Sequence, residues 1–219
     1  MHSPEPPIRH LIVLGHPGPD SFNHAVAAAY GDAVRACGQA PVLRDLYSLD
    51  FDPRLTAAER SPAGQGTPDD DVRIELDLIR DCEVIALVYP IWFGMPPAII
   101  KGYVDRVLGA GFAAANLKSG TPSGMLHGKR LVIFSSSAST RPWLEEQGQW
   151  HGLRQAFELY LQTVLGFRET QHVHFDAVVE GCKPHYVDEC LAIVEDAARK
   201  LCAAILHERR RARFGRASG

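Results

Sequence analysis

No stretch of this sequence approaches the roughly 20 consecutive apolar residues that a membrane-spanning helix needs. The opening MHSPEPPIRH also lacks an apolar segment before a small-residue cleavage site, so it reads as a loose leader, residues 1–7, ahead of the first strand. Cysteine is sparse and unpaired in pattern: Cys37, Cys82, Cys182, Cys190 and Cys202 are an odd number with no C-x-x-C, which suggests neither a disulfide framework nor a zinc knuckle. Such usage fits a reduced cytosol, and a cytoplasmic protein is expected. An excess of positive charge is missing as well. With 23 Lys and Arg against 26 Asp and Glu, the net charge of −3 argues against a general nucleic-acid binder. The exception is ERRRARFGR at 208–216, which reads as part of a solvated, disordered tail over 208–219, with contact to acidic lipid or RNA as the alternative. Three motifs are absent too: the G-x-G-x-x-G dinucleotide fingerprint, the G-K-[ST] ending of a P-loop, and the G-x-S-x-G elbow of a serine hydrolase.

What is present is an alternation of short β-rich runs with helical patterns, the signature of a parallel sheet with helices on both faces. A length of 219 residues suits a single domain. IRHLIVL (8–14) reads as strand one, PVLRDL (41–46) as strand two, EVIALVY (83–89) as strand three, RLVIFSSS (130–137) as strand four and ETQHVHFDAV (169–178) as an edge strand. The third run is near-continuously apolar and includes β-branched residues, as a central strand buried on both faces should. Ser21 can cap a helix with Phe22, Val26, Tyr30 and Ala33 on one face, closed by Gly38. Residues 47–71 form a long Pro/Gly/Asp-rich connection, with one short helix expected near LTAAER. The stretch 135–152 is expected to be a loop, and a last helix carries Val187, Cys190, Val194, Ala197, Leu201 and Ile205 on one face.

Ligands of open α/β sheets lie beyond the carboxyl ends of the strands, where strand order reverses. Three segments reach that place. GHPGPDSFN follows strand one and opens a helix, whose free N–H groups favour an anion, with His16, Ser21 and Asn23 adding side-chain donors. The same residues also suit an ordinary capped helix after a Pro-Gly turn. PIWFGMPP follows strand three and sets Trp92 and Phe93 in a loop, where a flat heteroaromatic ring, a subunit interface or a neighbouring helix could cover them. After strand four come Ser135, Ser136 and Ser137, then Trp143, Trp150 and His151; the histidine reads either as an acid or hydrogen-bond anchor, or as a surface residue. His172 and His174 alternate on the edge strand with no third ligand beside them, so no metal site is expected.

Taken together, GHPGPDSFNHAVA, RDLYSLDFDP and YPIWFGMPPAIIKGYVDRV, with GFA at 111–113 and HGKRLVIFS in support, resemble the flavodoxin-like-fold NAD(P)H:quinone oxidoreductases. That family includes small bacterial quinone reductases and potassium-efflux ancillary flavoproteins. The resemblance covers nearly the whole chain and implies a doubly wound five-stranded parallel sheet of order 2-1-3-4-5. It implies a flavin, with the SFN and WFG motifs closer to the FAD-binding branch and FMN the alternative. His16, Ser21, Phe22 and Asn23 would hold the phosphate or pyrophosphate; Pro90, Ile91, Trp92, Phe93 and Gly94 would border the isoalloxazine ring; and Ser135, Ser136, Ser137 and Ala138 would meet its pyrimidine edge. It further implies a homodimer that takes hydride from NAD(P)H and passes two electrons to a quinone or related electrophile in ping-pong order. The sequence departs from the family in the third loop, where the serines and Ala138 replace T-T-G-G and Trp143 falls near an expected tyrosine, while His151 matches the family's histidine. A flavin-binding regulatory protein associated with a membrane transporter is the alternative these departures leave open.

Overall fold

Strand β1 (Arg9–Leu14) is a run of six in which every residue after the first is buried, and it seeds the middle of the fold. The computed structural model describes residues 6–60, 67–110 and 124–217; the GFA motif, the first five residues of the expected leader and the middle of the 47–71 connection lie outside them. After β1 come α1 (Phe22–Ala36), β2 (Ala40–Asp45), α2 (Asp70–Asp81), β3 (Val84–Pro90) and α3 (Ala98–Tyr103), which continues as a π-helical turn over Val104–Leu108. Then follow β4 (Arg130–Ser136), α4 (Arg141–Glu146), α5 (Gln149–Leu153), a second π-helical turn (Arg154–Leu159), α6 (Tyr160–Leu165), β5 (Glu169–Phe175) and α7 (Pro184–Ala217).

The five strands form one parallel sheet in the order β2-β1-β3-β4-β5, as the resemblance implied. Strand side chains alternate faces, so the apolar strands feed two cores. Leu11, Val13, Ile85, Leu87, Leu131 and Ile133 pack with Val72 and Ile79 of α2, Ile100 and Tyr103 of α3, and Phe157 and Leu161 further on. Ile12, Leu14, Ala86, Val88, Val132 and Phe134 face Val26, Tyr30 and Val34 of α1 and Cys190, Val194, Ala198 and Cys202 of α7. Each Val, Leu, Ile or Phe among them contributes roughly 1.5–3 kcal/mol by leaving water. The order in which strands are added reverses between β1 and β3, and the loops after these two strands therefore flank a crevice at their carboxyl ends. Gly15 lets that crevice form: a Cβ there would lie 2.5 Å from Ile100 Cγ1, inside the close approach of the β1 loop to α3.

Three expectations are corrected. The stretch after β4 is not a loop, because Trp143 lies in α4 and Trp150 and His151 in α5, two short helices separated by Gly148 at φ 70°. LTAAER itself, residues 55–60, forms no helix; residues 57–59 make a single turn. Thr56 and Glu59 do exchange side-chain and backbone hydrogen bonds in the manner of a capping box, but Arg106 also binds the Glu59 carboxylate and the chain turns away. The Arg-rich segment is not a loose tail as far as Ala217, because α7 runs through it. Glu208 pairs with Arg130 (2.6 Å) and Arg168 (2.9 Å), while Arg209 pairs with Glu83 and donates to the Pro6 carbonyl (3.1 Å), so this part of the helix is held to the sheet. Among the described residues no helix is long and apolar enough to cross a membrane.

Candidate functional site

The β1 loop is shaped by its own side chains. Gly15 N–H donates to Val88 O at 2.9 Å, and Gly18 N–H donates to His16 Nδ1 at 3.0 Å, which curls the chain toward Ser21. Ser21 is the N-cap of α1: its Oγ accepts from His24 N–H at 3.3 Å and lies 2.8 Å from His24 Nδ1. His24 Nε2 reaches Asp45 Oδ2 at 3.2 Å, which fastens the cap to the end of β2. Burial opposes ionisation of Asp45, but hydrogen bonds from Ser48 and His24 outweigh it and hold this carboxyl below the usual carboxylate range. The N–H groups of Phe22 and Asn23 precede the first intrahelical bond, from Ala25 to Ser21, and remain available to a ligand.

These groups open into a cavity of about 670 Å³ at the carboxyl ends of β1, β3 and β4. His16, Ser21, Phe22, Asn23, Pro90, Ile91, Trp92, Ser136, Ser137 and Ala138 all line it. Asn23 is buried and exchanges hydrogen bonds with Ser136 Oγ (3.2 and 3.3 Å), which ties the start of α1 to the end of β4 across the cavity floor. The Trp92 ring is 41% exposed and stands 5.7 Å from the His16 ring. Burial lowers the pKa of His16, the Gly18 backbone pushes back, and the neighbouring His24 lowers it further. At physiological pH this imidazole is therefore a neutral hydrogen-bonding group.

Phe93, Gly94 and Ser135 do not line the cavity. Trp92 and Met95 pair through two backbone hydrogen bonds of 3.0 and 3.1 Å, and between them Phe93 (φ 51°) and Gly94 (φ 79°) form a two-residue left-handed turn. That turn projects the Phe93 ring fully into solvent. A bulky residue at positive φ is strained, and such strain gathers at functional positions. Ser135 lies within β4, 1% exposed, where its hydroxyl meets two histidines of β5 instead. Trp143 on α4 is half-exposed and His151 on α5 is exposed; neither lines the cavity.

The cavity has one wall that the sequence did not disclose. Val178, Val179, Glu180, Gly181 and Cys182, from the turn between β5 and α7, close its far side. Only the Gly-Cys-Lys-Pro run at 181–184 marks this segment as a turn, and nothing in its composition marks it as a ligand contact. Among the described residues no lysine or arginine lines the cavity, and Asp20 and Glu180 lie at its exposed rim. An anion here would be held by N–H groups and neutral side chains. The flat Trp92 face and the polar ends of Asn23, Ser136 and Ser137 suit a planar, hydrogen-bonding ring.

Comparison with known proteins shows the fold and the family. A family profile described as flavodoxin-like fold matches residues 8–203. An "Uncharacterized NAD(P)H oxidoreductase" of Haemophilus influenzae is 32% identical over 201 residues, covering 90% of this chain and 96% of the relative. A ribosyldihydronicotinamide dehydrogenase [quinone] of Pongo abelii is 26% identical over 155 residues, 63% of this chain and 67% of its own. Among solved structures, an NAD(P)H:quinone oxidoreductase from Methanothermobacter marburgensis superposes with a TM-score of 0.77 at 22% identity, covering 90% of this chain and 98% of that one.

Proposed function

The chain belongs to the flavodoxin-like-fold family of NAD(P)H quinone oxidoreductases, and from that premise we propose that its cavity binds a flavin, FAD before FMN, and serves hydride transfer from NAD(P)H to a quinone or related electrophile. The observation that carries this reading is the single cavity in which the α1 N-terminus, the Trp92 face and the Ser136–Ser137 end of β4 converge. The donor set suits the group: Phe22 and Asn23 N–H with Ser21 offer neutral donors to phosphate, and Trp92 offers a face to the ring. A flavin held there supplies the two-electron chemistry, accepting and giving hydride at one site, which is why ping-pong kinetics are expected. The chain's own part is to orient the ring, to exclude water on the Trp92 and Ile91 side, and to place hydrogen-bond donors where negative charge develops. The exposed Trp92 and Met95 (41% and 42%) and the projecting Phe93 ring favour a second copy of the chain as cover, and a homodimer is part of the proposal.

The first test is an absorbance spectrum of the purified protein, with heat release and identification of the chromophore. A yellow protein bleached by NADH or NADPH supports the reading; a colourless protein that also fails to take up added FAD or FMN removes it. Replacing Trp92 with Ala should weaken flavin binding about tenfold, the size of one lost aromatic contact. Fluorescence titration reads this directly, and unchanged affinity would deny Trp92 a stacking role. For His151 and Trp143 the acceptor-side role rests on the resemblance, since neither reaches the cavity within one chain. His151→Ala should slow acceptor reduction and spare flavin affinity, and stopped-flow measurement of the two half-reactions separates the effects.

A further inference from the structure

Five hydrogen-bonding side chains run in an unbroken line from the cavity into the protein. Ser137, which lines the cavity, has its Oγ 3.1 Å from His174 Nε2 and 2.8 Å from the Ser139 carbonyl. His174 Nδ1 lies 2.8 Å from Ser135 Oγ, which in turn lies 2.7 Å from His172 Nε2. His172 Nδ1 meets Glu158 Oε2 at 3.0 Å, and Arg154, half-exposed, donates to the same carboxylate at 3.0 and 3.3 Å. Trp150 covers both imidazoles, its ring 5.1 Å from His172 and 4.9 Å from His174, with Arg141 stacked on its outer face. The His172 and Glu158 side chains are 4% and 5% exposed. Ser135, His172 and Glu158 have the connectivity of an acyl-transfer triad, but a 1% exposed hydroxyl spanned by two imidazoles admits no substrate carbonyl.

With His174 holding a single ring proton, the line has two complete hydrogen-bond patterns. Ser135 carries one proton between two ring nitrogens and can donate to only one of them. When His172 is neutral, its Nδ1–H serves Glu158, Ser135 donates to His172 Nε2, His174 donates Nδ1–H to Ser135, and Ser137 donates to His174 Nε2. When His172 holds a second proton, every donor reverses: His172 Nε2–H to Ser135, Ser135 to His174 Nδ1, His174 Nε2–H to Ser137, and Ser137 to Ser139 O. The two patterns differ by one proton.

We propose that this line is a proton relay, with the His172–Glu158 pair as its store and Ser137 as its outlet into the cavity. The proposal rests on the oxidoreductase reading for its acceptor. Reducing a quinone to a hydroquinone takes a hydride and one further proton. In passing from the second pattern to the first, His172 gives its Nε2 proton to Ser135, Ser135 gives its own to His174 Nδ1, His174 gives its Nε2 proton to Ser137, and Ser137 releases its original proton to the acceptor oxygen. One proton taken up by the His172–Glu158 pair from solvent on the Arg154 side, together with turnover of the two imidazole rings and rotation of the Ser135 and Ser137 hydroxyls, restores the second pattern, so the cycle closes with no redox change in the protein.

The surroundings divide the labour. Burial, and then the charge on His172, lower the pKa of His174 to about 4 against a partial counter-effect of Asp176, with Arg141 lowering it further, so His174 passes protons without storing one. Burial opposes ionisation of Glu158, but hydrogen bonds from His172 and Arg154 hold its carboxyl below the usual range. Tyr89 of β3, its hydroxyl buried and without a hydrogen-bond partner among the described residues, is the other titratable group facing Glu158, and burial raises its pKa far above neutrality.

Imidazole nitrogen NMR on the intact protein tests the relay without any cofactor. As pH falls, the His174 proton should move from Nδ1 to Nε2 together with uptake of the second proton by His172. In Glu158→Gln, which keeps the acceptor for His172 Nδ1–H but removes the charge, His174 should keep its Nδ1 proton throughout. A His174 tautomer that stays fixed in the wild type, or moves equally in Glu158→Gln, overturns the proposal. In the flavin-loaded protein, Glu158→Gln should slow the acceptor half-reaction about tenfold or more while reduction by NAD(P)H stays within about twofold. Ser137→Ala should slow the same half-reaction yet leave the tautomer switch in place. Equal slowing of both half-reactions by Glu158→Gln, or of neither, overturns the coupling to the cavity. Failure of the flavin reading shows itself separately, as a protein that takes up no flavin, a result to which the imidazole titration is blind.

Discussion

Replacing Arg106 with Ala is expected to destabilise the protein by about 3–5 kcal/mol, the size of effect seen when one member of a buried ion pair is removed. The Arg106 side chain is 3% exposed and reaches Glu59, also 3% exposed, at 2.8 Å. Its fork binds Asp71 at 2.7 and 3.0 Å, it donates to the Asp52 carbonyl, and its guanidinium lies 5.1 Å over the Phe51 ring. Three points of the connection between β2 and α2, and the first turn of α2 itself, are thus fastened to the π-helical turn after α3. Truncation would leave the Glu59 carboxylate buried and unpaired, and that desolvation cost is the larger part of the loss. Arg106→Lys should recover only part of it, because an ammonium cannot match the bidentate geometry. Urea unfolding measures the change, and Glu59→Gln in the Arg106→Ala background should restore a large share. A loss below about 1 kcal/mol would mean that water reaches the pair.

Stability is also expected to fall with pH well before the carboxylates titrate. His10 on β1 is fully buried between Tyr30 Oη (2.8 Å) and Gln39 Oε1 (2.7 Å). A neutral ring satisfies both partners, donating Nε2–H to the Gln39 oxygen and accepting at Nδ1 from the Tyr30 hydroxyl. Burial lowers the His10 pKa to about 4, against a partial opposing effect of Gln39 and with Arg130 lowering it further. The unfolded chain therefore binds a proton below about pH 6.5 that the folded chain refuses, so stability is present above that pH and is lost as pH falls toward 4. From His10 alone the loss is about 2 kcal/mol at pH 5 and on the order of 3 kcal/mol at pH 4. His174, also held low by burial, acts in the same direction. Melting temperatures at pH 7.5, 6 and 5 should decline, with a flatter profile in His10→Gln. A profile level down to pH 5 would show that the folded protein accepts the proton.

Some of this fold could be read directly from residue order. The apolar run at 84–89, within the strand expected over 83–89, is buried at every position, and Ser21 caps α1 because its oxygen can meet the backbone N–H three residues on. Features set by distant partners could not be read. Helices α4 and α5, of six and five residues, are too short to show an amphipathic repeat, and Gly148 and Gly152 punctuate the sequence like a loop. The Arg-rich end of α7 looked solvated because its partners, Glu83 and the Pro6 carbonyl, lie 126 and 203 residues away in the chain. The cavity shows the same division. Its first two walls are contiguous motifs, whereas the turn at 178–182 and the histidines behind Ser135 and Ser137 join it only through the pairing of β4 with β5.

Helix α7 sets a distance as well as a packing face. Its 34 residues begin just after the turn that walls the cavity and rise about 1.5 Å each, so its last residue stands about 50 Å from that turn. A linker, an affinity tag or an electrode attachment joined after Ala217 would therefore begin at the opposite end of the molecule from the cavity, leaving its mouth open to small reactants while the protein is held to a surface.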